Sequence, residues 1–517
     1  MSARRSRVLL ALVLAGCATT RPAPTASSAP AAQPAAAARP EPAPAGSAAG
    51  APPSGPWVRT PPPPPLSTVP WTEPPANEAT LPNGLRVVVI ERHGRPIVSV
   101  RLLLRSGAAS ESREHAGVTW LSLALLEDRE EKRTDDGELL VSDEKSARRQ
   151  LAEQGGALSF GVTSDGSWLG VDGYSVDTAK YLQTLREVMK ARRHGADGFA
   201  GRRDALLDAI DDLELGDDET LFEQLGRLAF GPQHVYAQRV VGTVPSLEQM
   251  GIEDVVARQD AVLQPKGATL LVVGEVDHQQ VLSKAADVFE GWANTARVVE
   301  PDIPASPVGK RKAVRIIPRK PARTTALCSV RGLGDVKASG AALAIFAETM
   351  GNGRLRQALR EERGFTYVAQ ASVIERRKAR ALAFCSRLPT TATAEGLRVF
   401  VHALEALKAS PPTAEELDRA KATLQSRLAA ERSSVAGTIE SWAHAVELGQ
   451  PTGLAEQQAA LRAVTAAELE ALSRQVLDLD HLQLVLSGDT TTIEAAVKAS
   501  GLGASTVVHV AHEGGRD

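Results

Sequence analysis

The apolar positions of this chain fall into two similar series. In the first, residues 87–90 and 97–104 are short apolar runs around a polar break, Arg92-His93-Gly94-Arg95, and they read as paired strands. Asn83-Gly84 just before them is a hairpin signal. A loop through Gly107 and Ser110 to Gly117 leads to a helix expected over 118–127. Residues 269–273 form another strand run, ended by Gly274-Glu275-Val276-Asp277. In the second series, 314–318 and 325–330 restart the strand pattern and a helix follows over 340–350. Residues 381–388 read as a strand and 394–408 as an amphipathic helix. A further helix lies within 411–428, with Thr413 ahead of Glu415 and Glu416 as its start signal. The strand run 482–486, ended by Ser487-Gly488-Asp489, echoes 271–275. The two series make a weak internal repeat of about 200 residues, far longer than the repeat of a solenoid.

Within the second series, the stretch 353–372 reads GRLRQALREERGFTYVAQAS. Leu355 and Leu359 with the run between them predict an amphipathic helix that ends in a charged turn. Gly364 is a natural stop, and 365–373 alternates into a strand. Arg360 is thus expected on the last helical turn and Tyr367 on the following strand. Taken alone, this is a helix-turn-strand connection with a solvated arginine and an edge tyrosine.

Composition narrows the class. With 517 residues the chain exceeds one ordinary core, so two or more domains are expected. A net charge of −3 carries no nucleic-acid signature. Alanine is abundant and aromatics are only 4%, which fits a helix-rich globular protein. Three cysteines are too few for a disulfide scaffold. Cys328 and Cys385 lie in apolar strand runs and read first as buried thiols, with a disulfide left open.

The N-terminus has an export pattern. Arg4, Arg5 and Arg7 precede an apolar run at 8–14 that is too short to span a bilayer. Leu14-Ala15-Gly16-Cys17 resembles the bacterial lipobox, which implies cleavage before Cys17 and a lipid on it. Ala18 is not the aspartate that holds some lipoproteins at the inner membrane, so the outer membrane, facing the periplasm, is expected. Residues 18–77 are rich in Pro, Ala, Ser and Gly, including Pro61 to Pro65, and read as a disordered tether. As a coil it would span about 45 Å.

The stretch around Arg360, Gly364 and Tyr367 resembles the second-half signature of the insulinase/pitrilysin zinc peptidases of processing-peptidase type. The resemblance covers roughly residues 78–505. It extends to Leu151–Gly156 with Ser164-Asp165-Gly166, and to the loop through His234 and Tyr236 to Val241-Gly242-Thr243. It implies an α/β (α+β) fold of two homologous alpha/beta-roll half-domains facing each other as a clam. The expected division is 1–17 signal and lipid site, 18–77 tether, 78–290 first domain, 291–311 linker, 312–505 second domain and 506–517 tail.

In that family the first helix carries H-x-x-E-H, two histidines for zinc and a glutamate as general base. Aligned on Gly117, the histidine slots here hold Trp120 and Ala124, and the glutamate slot holds Leu123. None can bind zinc or move a proton at neutral pH. The third-ligand slot falls near Asp208, read as a solvated helix residue. His234 reads as structural, and the tail pair His509 and His512 is not expected to bind metal. The resemblance therefore implies no cofactor in this chain and zinc only on a homologous partner subunit. Arg360 and Tyr367 would contact the peptide substrate and its oxyanion in trans. A peptide-binding or envelope scaffold without catalysis is the alternative. The expected partners are that subunit, a peptide and a membrane reached through the lipid, with no nucleic acid.

Overall fold

The strand runs assemble into two sheets because each is apolar on both faces, the pattern of strands covered on both sides. The computed structural model describes residues 72–126, 131–133, 139–141, 147–190, 196–214, 217–295, 302–305 and 312–508. Cys17 and its signal, the tether up to residue 71, His509 and His512 lie outside the described residues, as do parts of the charged loop 127–144 and of the linker 291–311.

The first half runs β1 (Ala76–Thr80), β2 (Arg86–Glu91), β3 (Ile97–Leu104), α1 (Val118–Ala124), β4 (Glu131–Arg133), β5 (Leu139–Val141), α2 (Ala147–Glu153), β6 (Ala157–Val162) and β7 (Ser167–Tyr174). It continues through α3 (Thr178–Lys190), α4 (Ala196–Glu214), α5 (Asp217–Phe230), α6 (Val244–Glu248), α7 (Ile252–Val262), β8 (Thr269–Gly274) and α8 (His278–Phe289). The second half has β9 (Ala313–Pro318), β10 (Thr324–Gly332), α9 (Gly340–Ala347), β11 (Ala369–Glu375), β12 (Arg380–Pro389), α10 (Thr393–Ala409) and α11 (Ala414–Glu431). It ends with α12 (Val435–Leu448), α13 (Leu454–Ala463), α14 (Ala466–Val476), β13 (Gln483–Gly488), α15 (Thr490–Ala499) and β14 (Ser505–Val507).

The sheet orders are β1-β2-β8-β3-β7-β6 and β11-β12-β10-β13-β9-β14. Reversing the first superimposes it on the second. β6-β7 then matches β11-β12, β3 matches β10, and the parallel pair β2-β8 matches β9-β13. Only the outermost strand differs. β1 is antiparallel to β2, whereas β14 returns from the far end of the chain, parallel to β9. The internal repeat is thus a repeat of topology, and α5 and α12 hold the same place in it.

Those two helices are exchanged. One face of each sheet packs on its own half's helices: Val87, Val100 and Leu270 on Tyr181, Leu185 and Phe289, and Leu327, Leu484 and Phe384 on Phe346 and Phe400. The other face carries a helix from the opposite half. Val88, Leu103 and Leu271 pack on Ile439 and Trp442 of α12. Ala326, Val330 and Val485 pack on Leu221, Leu225 and Phe230 of α5.

The structure changes several sequence expectations. β2 and β3 are not paired, because β8 lies between them and bonds to both. Asn83-Gly84 instead closes the β1-β2 hairpin, with Gly84 at φ 91°. Ala76 and Asn77, expected in the tether, are already in β1. Glu73 is tied down still earlier, paired with the fully buried Arg432 and accepting the Leu454 N–H at 2.8 Å. The charged loop contains the β4-β5 ladder. Cys328 and Cys385 are register partners across β10 and β12 and are joined as a disulfide, so the thiol reading is replaced.

Candidate functional site

The first helix is where the resemblance placed zinc, and its chemistry is that of a core. Leu123 and Ala124 are fully buried. Trp120 packs edge-on against Phe160, with ring centroids 5.3 Å apart. No donor of these three side chains could hold a cation, and Leu123 belongs to the main core of the half-domain. The slot does not fit zinc. Asp208, on α4, is exposed. Among the described residues no group of three or more His, Cys, Asp or Glu side chains is placed to hold a metal ion.

What the helix does carry is a buried carboxylate at its start. Glu111 accepts the N–H groups of Gly117 and Thr119, both at 2.8 Å. Arg258, from α7, donates to Thr119 Oγ1 at 2.7 Å and to Ser110 Oγ at 2.6 Å. Burial raises the Glu111 carboxyl above its ordinary range, against the pull of those N–H groups and of Arg258. The sequence reading passed over Glu111, since a glutamate six residues before a helix fits no local capping rule.

The second candidate region grows from α9. Ser339 caps that helix, accepting the Ala342 N–H at 3.1 Å. The helix then widens to the π pattern over Glu348–Leu355 and Gln357–Glu361. Gly351 is required there, because a Cβ would run into Ala371 of β11. Asn352 Oδ1 accepts the Ala371 N–H at 3.1 Å. Arg354 forks onto both Glu416 oxygens at 2.6 and 2.7 Å, which pulls that carboxyl down to about 2. The start of α11 is thereby fixed to the widened helix.

Gly364 ends the helix in the left-handed conformation, φ 66°, as expected. Its N–H donates to Arg360 O and that of Phe365 to Leu359 O, both at 2.9 Å. Arg360 is on the last turn, as read. Tyr367 is not on the strand. It sits two residues before β11, in a turn where Thr366 Oγ1 accepts the Val368 N–H at 3.0 Å. Thr366 is buried and Tyr367 is 90% exposed. Arg360 is exposed too, and among the described residues neither side chain has a hydrogen-bond or ionic partner. The helix end and the turn after it thus present a guanidinium and a phenol to solvent.

His234 is structural. Its Nδ1 accepts the Tyr236 N–H at 3.1 Å and its Nε2 lies 2.9 Å from Pro304 O.

Residues 250–424, from just before α7 into α11, match the family described as the Peptidase M16 inactive domain. That is the family name of the insulinase/pitrilysin peptidases. Among solved structures, a protease from Helicobacter pylori superimposes with a TM-score of 0.70 at 18% identity, over 80% of this chain and 100% of that one. A peptidase M16 inactive domain from Pseudomonas fluorescens gives 0.68 at 18% identity, over 84% and 100%. The fold is that of the M16-like peptidases. The periplasmic protease PqqL of Escherichia coli gives 0.66 at 12% identity, and there 85% of this chain covers only 51% of the relative. No curated protein matches by sequence.

Proposed function

We propose that this chain is the zinc-free member of a two-subunit M16-type peptidase, lending Arg360 and Tyr367 to an active site whose metal sits on a homologous partner. The observation that carries the reading is that, among the described residues, both side chains are exposed and without a partner, one at the helix end and one on the turn after it. The packed slot at Trp120, Leu123 and Ala124 supports the division of labour. So does the match to only half the length of the E. coli protease. Arg360 offers a planar fork of donors to a peptide carbonyl or carboxylate. Tyr367 donates to the oxyanion formed as water attacks the peptide carbon.

The test is co-purification of the lipoprotein with its partner, followed by assay of the pair. A roughly equimolar partner bearing H-x-x-E-H is expected. Tyr367→Phe should then lower kcat by about 10²–10³-fold, the usual loss of one oxyanion donor. Unchanged activity of that variant sinks the role of Tyr367. A peptide-holding scaffold is the second reading, favoured by the sealed first helix. Purification of the chain alone, with unaltered peptides bound, would favour it.

We also place the protein in the cell envelope, on a lipid at Cys17. The disulfide Cys328–Cys385 supports an oxidising compartment. Cys17→Ser should move the protein from the membrane to the soluble fraction, and continued sedimentation with membranes counts against the anchor.

A further inference from the structure

The two half-domains meet tip to tip. The turn between β6 and β7 and the turn between β11 and β12 are equivalent in the repeat, and they touch. Asp165 of the first accepts the Arg377 N–H at 2.8 Å through a carboxylate oxygen, and its backbone oxygen accepts Arg377 Nη2 at 3.0 Å. Tyr236 donates to the other Asp165 oxygen at 2.6 Å. Helix α12 closes the junction from a third side. Glu447 O accepts Arg377 Nε at 3.0 Å, and the Glu447 carboxylate accepts the Thr163 hydroxyl.

Arg376 is held inside this junction, and among the described residues its Nε is sealed from water with no hydrogen-bond partner. His444, one turn before Glu447 on α12, faces Arg376, Glu375 and Glu440. Glu375 and Glu440 favour a proton on the ring and burial and Arg376 oppose it, burial most strongly, while neither carboxylate accepts a hydrogen bond from the ring. Glu440 pairs with Arg101 of β3 at 2.6 Å, and Glu375 accepts Gln450 Nε2 at 3.3 Å. Among the described residues neither ring nitrogen of His444 is hydrogen-bonded.

We propose that this junction is an acid-sensitive clasp between the two half-domains, held shut by an uncharged His444 ring. Charging the ring sets a second cation beside Arg376, whose Nη1 donates to Glu375 O at 2.9 Å but whose Nε has no acceptor among the described residues. Burial is the main cause that lowers the His444 pKa from 6.5. The unfolded chain therefore takes up the proton first as pH falls through that value. Stability present above it is lost below it. Glu447 works in the opposite sense, since burial raises its carboxyl and protonation favours the folded form. Comparison with a His444→Gln variant separates the two, because Glu447 is common to both proteins.

The experiment is a histidine-labelled NMR titration of the full chain, the His444 signal among the 10 histidines being assigned by its loss in His444→Gln. Thermal melts of both proteins at about pH 7.5 and about pH 5.5 accompany it. His444 should stay neutral after ordinary imidazoles have charged. The wild-type Tm should fall by about 1–3 °C more than that of the variant. Hydrogen exchange, corrected for the intrinsic effect of pH, should quicken in α5 and α12 of the wild type in acid. This last reading holds even if His444→Gln folds poorly. A His444 signal that titrates like a free imidazole, parallel Tm shifts, or unchanged protection of α5 and α12 overturns the clasp.

Discussion

Glu111 illustrates how a catalytic-looking residue can be wholly structural. It is a carboxylate just ahead of the helix expected to hold the catalytic motif, it is buried, and its proton affinity is raised. Its two oxygens, however, are consumed by the first N–H groups of that helix. Glu111→Gln keeps one acceptor and sets an amide against a second N–H. The expected cost is about 1–3 kcal/mol, read from urea unfolding, with no change in peptide binding. A loss of binding with unchanged stability would instead place Glu111 at a functional surface. Single residues also show what the sequence could and could not reveal. Gly364 was legible as a stop because a left-handed residue at a helix end has a strong local signature. Tyr367 was misplaced because its alternating neighbours look like strand. A side-chain turn at Thr366 delays the strand by two residues.

At the scale of elements, local chemistry was readable and partnership was not. Thr413 and Glu416 form the expected reciprocal cap, at 2.8 and 3.2 Å. The repeated Gly-acidic strand endings also have a common cause. Asp277 and Asp489 cap the helices that follow, each accepting an N–H at 2.8 Å, from Gln280 and Thr492. What failed was the pairing of β2 with β3. Neighbouring strands usually pair, but β8, from far along the chain, takes the place between them. The role of α12 was equally hidden. Its apolar residues say only that it is buried, not that they cover the sheet of the other half.

For the molecule as a whole, the exchange of α5 and α12 interlocks the two halves. Leu225, fully buried in α5, packs on the second sheet although it belongs to the first half. Leu225→Ala should cost about 2–5 kcal/mol, with one unfolding transition that shifts as a unit. Two transitions, with only one half destabilised, would show that the halves fold independently. The repeat was legible as a pattern of period. The interlocking was not, because it joins positions more than 100 residues apart in chain order, such as Val88 and Trp442.

The same exchange bears on how the protein is made. A chain emerges from its N-terminus first, and domains ordinarily fold as they appear. Here the first sheet is finished with β8, yet Val88, Ile90 and Leu271 stay bare until 435–448 arrives to cover them. Leu221 and Leu225 of α5 wait as long for their own sheet. Newly made protein must therefore pass through a stage with two sticky surfaces. Its yield should depend on whatever shields apolar surface during synthesis more than on the stability of the finished fold.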